Sequence, residues 1–153
     1  MKHQGGCHCL QFSFETDIDP MLIVQCNCKS CRRIMGSINV GCLYGETEVK
    51  FMGETNVYEF AGGSGFTNRA CFCAKCHLGV YNKPVPEVME VLEGMISIPL
   101  GCFNKTDGLV PKVKIWSEEK LSFFKKYEFV LETFEGNGMP EGLNALLSSL
   151  ETR

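Results

Sequence analysis

Cys26-Asn27-Cys28-Lys29-Ser30-Cys31-Arg32-Arg33 packs three thiols into one short stretch of chain. Cysteines two and three apart bridge to each other only with strain, whereas a knuckle turn brings such thiolates onto one tetrahedral ion. Working outward, the same Cys-x-Cys-x-x-Cys spacing returns at Cys71-Phe72-Cys73-Ala74-Lys75-Cys76, and a shorter pair, Cys7-His8-Cys9, stands near the start. Two copies do not define a repeat protein, so the echo reads as two knuckles meeting metal by one geometry. Of the ten cysteines, only Cys42 and Cys102 fall outside these clusters. The opening Met1–Gly6 carries no apolar leader, so a reducing, cytoplasmic setting is expected, in which clustered thiols bind metal rather than pair. Zinc is the ion this spacing suits.

The segments between the clusters read as strands. Leu10, Phe12 and Phe14 alternate with polar neighbours, Met21 to Gln25 is a short apolar run that delivers Cys26, and Ile38, Val40 and Cys42 alternate again. Val49 to Met52, Val57 to Phe60, Met95 to Leu100 and Val113 to Ile115, with Trp116 a possible addition, extend a β meander, with Gly45 and Gly53 marking turns. Lys29 to Met35 predicts a turn or short helix stopped by Gly36, and Leu143 to Leu150 a late helix. Ala61-Gly62-Gly63-Ser64-Gly65 predicts a tight loop rather than a linker, and Pro84 with Pro86 a second loop. Val88 to Leu92 is ambiguous, and Leu121 to Phe134 lacks clear periodicity. At 153 residues the expectation is one domain spanning 1–153.

Composition removes several classes of function. A 44% hydrophobic share with 22% charged residues is that of a folded globular chain, not a disordered one. The longest apolar runs fall far short of the roughly 20 residues of a membrane helix, so no membrane partner is expected. A net charge of −3 gives no field to draw nucleic acid, which is not expected as a partner. The glycines at 62, 63 and 65 lack the Gly-Lys-Ser/Thr ending of a phosphate loop.

Three motifs in order, Gly5-Gly6-Cys7-His8-Cys9, Cys26-Asn27-Cys28-Lys29-Ser30-Cys31-Arg32-Arg33 and Phe72-Cys73-Ala74-Lys75-Cys76, resemble the glutathione-dependent formaldehyde-activating enzyme family, which also includes centromere protein V. Ile96 to Gly101 and Pro111 to Trp116 are similar to the strands that follow in that family. The resemblance implies a mainly β fold of the β-tent kind, with few short helices and antiparallel sheets around the knuckles. It implies two zinc ions. Cys7, Cys9, Cys73 and Cys76 would close a structural site, and Cys26, Cys28 and Cys31 would hold a catalytic ion with a free fourth position. The implied activity is that of a carbon–sulfur lyase joining a small-molecule thiol such as glutathione to formaldehyde or a related carbonyl. A non-catalytic, zinc-stabilised binding module is the alternative.

Lys29, Arg32 and Arg33 flank the central knuckle; they suit either the carboxylates of glutathione or the excess negative charge of three thiolates. Leu10 and His77 follow knuckle cysteines where the family usually places glycine, and Cys102-Phe103-Asn104 replaces its usual acidic pair after Gly101. Cys71 points to the face of Cys73 if the segment is extended, so it either closes the site of Cys26, Cys28 and Cys31 or is a buried free thiol. His8 between two ligands is expected to face away, and His77 more often surface than ligand. Cys42 and Cys102 read as small core residues, as do Phe12, Phe14, Phe51, Phe60, Phe66 and Phe72. Lys112, Lys114, Lys125 and Lys126, separated by acidic residues, read as solvated surface.

Overall fold

The computed structural model describes residues 1–85, 92–122, 132–134, 136 and 141–150. Its strands are β1 (His3–Gly6), β2 (Ser13–Thr16), β3 (Leu22–Cys26), β4 (Asn39–Gly45), β5 (Lys50–Met52), β6 (Thr55–Ala61), β7 (Thr67–Cys73), β8 (Gly79–Pro84), β9 (Met95–Pro99), β10 (Val113–Ile115) and β11 (Glu132–Thr133); its helices are α1 (Lys29–Met35) and α2 (Glu141–Leu150). The strands form a three-stranded sheet, β1-β2-β5, and an eight-stranded sheet, β11-β10-β3-β4-β9-β8-β7-β6. The fold is mainly β, as the alternating segments imply. Two pairings, β3 with β10 and β10 with β11, are parallel instead of antiparallel. The long stretch of chain between β3 and β10 makes that possible, since parallel neighbours need a crossover connection.

The large sheet has two unlike faces. Ile23, Cys42 and Ile98 are cross-strand partners on β3, β4 and β9, and with Tyr44 and Ile96 they pack into the main core. Because side chains alternate, their neighbours face the other way. Cys26 pairs with Asn39 and with Ile115, Val24 with Gly41, Leu43 with Ser97, Ser97 with Asn82, and Asn68 with Phe60. That second face is the floor of a cavity. The small sheet packs Phe14 against Phe103 in the main core and Phe12 against Phe51 and Tyr81 in a second one.

Several expectations shift. Leu10 is not a strand residue; it is 76% exposed in the turn of the first knuckle, and β2 begins only at Ser13. Pro84 ends β8 rather than sitting in a loop, and Pro86 with residues 88–91 lies outside the described residues. Lys114 is buried, not solvated, because β10 lies between β3 and β11; burial lowers its pKa. Phe60 and Phe66 are half-buried walls of the cavity instead of core. Cys42 and Cys102 are core residues as read.

Candidate metal centre

Two groups of thiols converge. The sulfurs of Cys7, Cys9, Cys73 and Cys76 lie within 4.8 Å of one another, and so do those of Cys26, Cys28 and Cys31. Among the described residues no further His, Cys, Asp or Glu joins either group.

The first group is built by two knuckles from distant parts of the chain. One follows β1: Gly5 and Gly6 let the strand run against its neighbours, since a Cβ on Gly5 would meet the Cys102 carbonyl oxygen at 1.9 Å and one on Gly6 the Phe12 carbonyl oxygen at 2.4 Å. The Cys7 amide then donates to the Phe12 carbonyl at 3.0 Å and the Leu10 amide back to Cys7 at 3.1 Å. The other knuckle follows β7, with the Cys73 amide donating to Leu78 at 2.9 Å and the His77 amide to Cys73 at 3.0 Å. Leu10 and His77 keep the left-handed backbone that glycine favours, at φ 60° and 58°. That conformation costs a non-glycine residue about 1–2 kcal/mol. Both side chains are exposed, as is His8.

Backbone amides converge on these sulfurs. The Phe12 amide donates to Cys7 Sγ at 3.3 Å. Burial and Cys76 work to raise the Cys7 pKa, but this donor with the Cys73 and Cys9 thiols outweighs them and lowers it. N–H groups of Leu78 and Cys9 hold Cys76 down at about 6, while the surrounding thiols and desolvation outweigh the Gln11 amide and push Cys9 up to about 11. Sulfur separations of 3.5 Å (Cys7 to Cys9) and 3.7 Å (Cys9 to Cys73) are near the ~3.8 Å edge of a tetrahedron with zinc–sulfur bonds of about 2.3 Å. Four soft thiol donors on that geometry fit zinc.

The second group is local. Cys26 ends β3, Cys28 caps α1 by accepting the Cys31 amide at 3.2 Å, and Cys31 lies in the first turn. Asn27 pins the knuckle to β10: its backbone and side-chain N–H groups both reach the Ile115 carbonyl, at 3.1 and 3.0 Å, and Gln25 donates to its side-chain oxygen at 3.0 Å. Cys26 and Cys31 donate to Cys28, and with nearby backbone amides they overcome burial to hold its thiol far below the usual range. Cys26 is raised in turn by Cys28, Cys31 and burial. Donation from Cys26 to Cys31 is outweighed by Cys28 and burial, so Cys31 rises to about 12. Three sulfurs within 4.8 Å of one another are a donor set that fits a dication with one position left over.

Cys26, Cys28 and Cys31 open onto a cavity of about 250 Å³, whereas none of the four thiols of the first group lines it. Cys71 does not close the second group. It is 1% exposed beside Phe12, Cys73 and Val80, and burial outweighs its contact with Tyr81 to raise its pKa. Lys29 and Arg33 are exposed and Arg32 is half-buried; Arg32 donates to the Glu119 carbonyl at 3.2 Å, and the Lys29 backbone amide to the Glu119 carboxylate. None of the three lines the cavity.

Asn27, Asn39, Asn68, Asn82, Ser97 and Trp116 take places at the knuckle and cavity that no sequence motif marks. Trp116 follows β10 in a left-handed conformation, φ 57°, and lines the cavity. Its ring sits against Gly63, where a Cβ would meet it at 3.1 Å. The one sequence signal was period-2 alternation, which places these side chains opposite the core without saying what they face.

A family model described as glutathione-dependent formaldehyde-activating enzyme matches residues 2–119. No curated protein matches. Among solved structures, a Rhodobacter sphaeroides protein is 14% identical, with 86% of this chain and 98% of that chain covered and a TM-score of 0.46.

Proposed function

The chain belongs to the glutathione-dependent formaldehyde-activating enzyme family, and from that premise we propose that it is a zinc-dependent carbon–sulfur lyase. It joins a thiol, glutathione as the family's description has it, to formaldehyde or a related small carbonyl. Cys7, Cys9, Cys73 and Cys76 hold a structural zinc, and Cys26, Cys28 and Cys31 a catalytic one. A carbon–sulfur bond forms, the carbonyl π bond opens, and the thiol proton ends on the former carbonyl oxygen.

One observation carries this reading: three thiols face a cavity with no fourth ligand beside them among the described residues, and Cys71 packs elsewhere. Zinc held there would favour the deprotonated form of an incoming thiol, the form that attacks carbon. The chain's own part is positional. The Asn27 bonds to Ile115 fix the knuckle on β10, and the cavity confines both reactants, which replaces a bimolecular encounter by a near-unimolecular one.

The test is the rate of S-hydroxymethylglutathione formation, or its reverse, with the zinc-loaded protein. Acceleration above the spontaneous rate that vanishes in Cys28→Ser is expected. No acceleration with any thiol would leave the zinc-stabilised binding module.

A further inference from the structure

The wall of the cavity carries information about the body of the thiol. Phe60 and Phe66 rise from β6 and the loop before β7, Trp116 closes over Gly63, and Ile34 with Met35 comes from α1. Beside Phe60, the cross-strand partner of Asn68, the floor is uncharged: Asn39, Ser97, Asn82 and Asn68 stand on four adjacent strands and project to one side. The side-chain oxygen of Asn39 is buried without a partner, an acceptor that an N–H or O–H group of the ligand can satisfy, and the same side chain hydrogen-bonds the Cys31 thiol. Lys83 is the one ionised side chain lining the cavity among the described residues, and its ammonium is already 2.9 Å from Glu46.

Glutathione carries two carboxylates and an ammonium. Moving such charges from water against aromatic walls is unfavourable unless each meets an opposite charge. Lys29, Arg32 and Arg33 do not line this space. A flat apolar body, by contrast, gains both burial and ring-on-ring contact with Phe60, Phe66 and Trp116.

Resting on the reading of Cys26, Cys28 and Cys31 as a thiol-accepting zinc site, we infer that the preferred thiol of this protein has an uncharged, aromatic or bulky aliphatic body. The sulfur enters beside the three cysteines, the body lies between the aromatic wall and the amide floor, and any neutral polar group it bears meets Asn39 or Asn82.

Trp116 is the chain's one tryptophan, so its emission reports directly on the cavity. The experiment titrates the zinc-loaded full chain with benzyl mercaptan and, separately, with glutathione, following Trp116 fluorescence. Benzyl mercaptan is expected to bind about tenfold tighter or better, the difference between a matched and a desolvated charged body. Glutathione binding equally or more tightly, or benzyl mercaptan leaving the emission unchanged, overturns the inference. Phe66→Ser, a half-buried loop position, should narrow the ratio between the two thiols; an unchanged ratio overturns its assignment to these walls. Turnover with formaldehyde separates this inference from the reaction it rests on. A binding preference without turnover on either thiol removes the reaction and leaves the pocket. Turnover with glutathione alone removes the pocket preference and leaves the reaction.

Discussion

The two thiol groups use the same knuckle chemistry for opposite ends. Cys7, Cys9, Cys73 and Cys76 tie together segments 64 residues apart, as the Cys9 to Cys73 contact shows, and their sulfurs are capped by amides of Phe12, Leu78 and Cys9. Cys26, Cys28 and Cys31 come from one turn and face a cavity. A cross-link's entropic gain grows with the loop it closes, so an ion on the first group stabilises the fold, whereas one on the second closes almost no loop. In the proposed reading, long closure with a full ligand set would act as a brace, and local closure with a vacancy would leave a site for chemistry.

The largest expected effect breaks the brace. Structural zinc contributes on the order of 10–16 kcal/mol in small zinc domains, as much as the roughly 5–15 kcal/mol of a whole domain's stability. Cys73→Ser should therefore leave the protein unfolded or lower Tm by tens of degrees, read by circular dichroism and thermal unfolding. Survival of a cooperative transition near the parent Tm would mean that the four-thiol group does not brace the fold.

Next comes the opposite dissociation of stability from activity. Cys28→Ser keeps a good helix cap, because serine accepts the Cys31 amide as the thiol does. The variant should hold one zinc per chain instead of two, by elemental analysis, and stay within a few degrees of the parent Tm. Thiol–formaldehyde joining should fall to the spontaneous rate. Retained acceleration would detach the chemistry from this knuckle.

Smaller again is Cys71→Ala. The residue packs at 1% exposure outside both groups, so zinc content and turnover should not change, while the void and the lost Tyr81 contact cost about 1–2 kcal/mol. One zinc lost with that substitution would make Cys71 a ligand after all.

What the sequence disclosed of this arrangement follows from how local each signal is. Spacing marked the knuckles, and α1 with Gly36 behind it could be read from a few neighbouring residues. The β strands around Cys26, Cys42 and Ile96 were legible as short apolar runs or alternating stretches, β3 burying both of its faces and β4 and β9 mainly one. The parallel seating of β10 beside β3 was not, since nothing local encodes which strands meet across that much chain. The cavity was hidden for the same reason. Asn39, Ser97, Asn82 and Asn68 are ordinary polar strand residues until register lines them up, and Phe60 and Phe66 look like any core aromatics. Lys114 was misread because a lysine says solvent unless its strand lies inside a sheet.

The smallest effect sharpens the comparison most finely, because it finds the same backbone strain in both regions. Leu10 and His77 hold left-handed φ angles at the four-thiol knuckles, and Trp116 holds one at the cavity. Leu10 and His77 are exposed, so glycine there loses little packing. Relief of about 1–2 kcal/mol of strain per residue, offset by roughly 0.5–1 kcal/mol of added chain entropy, leaves a modest net gain. At about 2–4 °C per kcal/mol for a chain of this size, Leu10→Gly with His77→Gly should raise Tm by a few degrees with turnover unchanged. Trp116→Gly relieves the same torsion but removes the wall over Gly63, so thiol binding should weaken whatever happens to Tm. If Leu10→Gly and His77→Gly slowed turnover as Trp116→Gly does, the brace and the site would be one coupled unit, and the division of labour between them would fall.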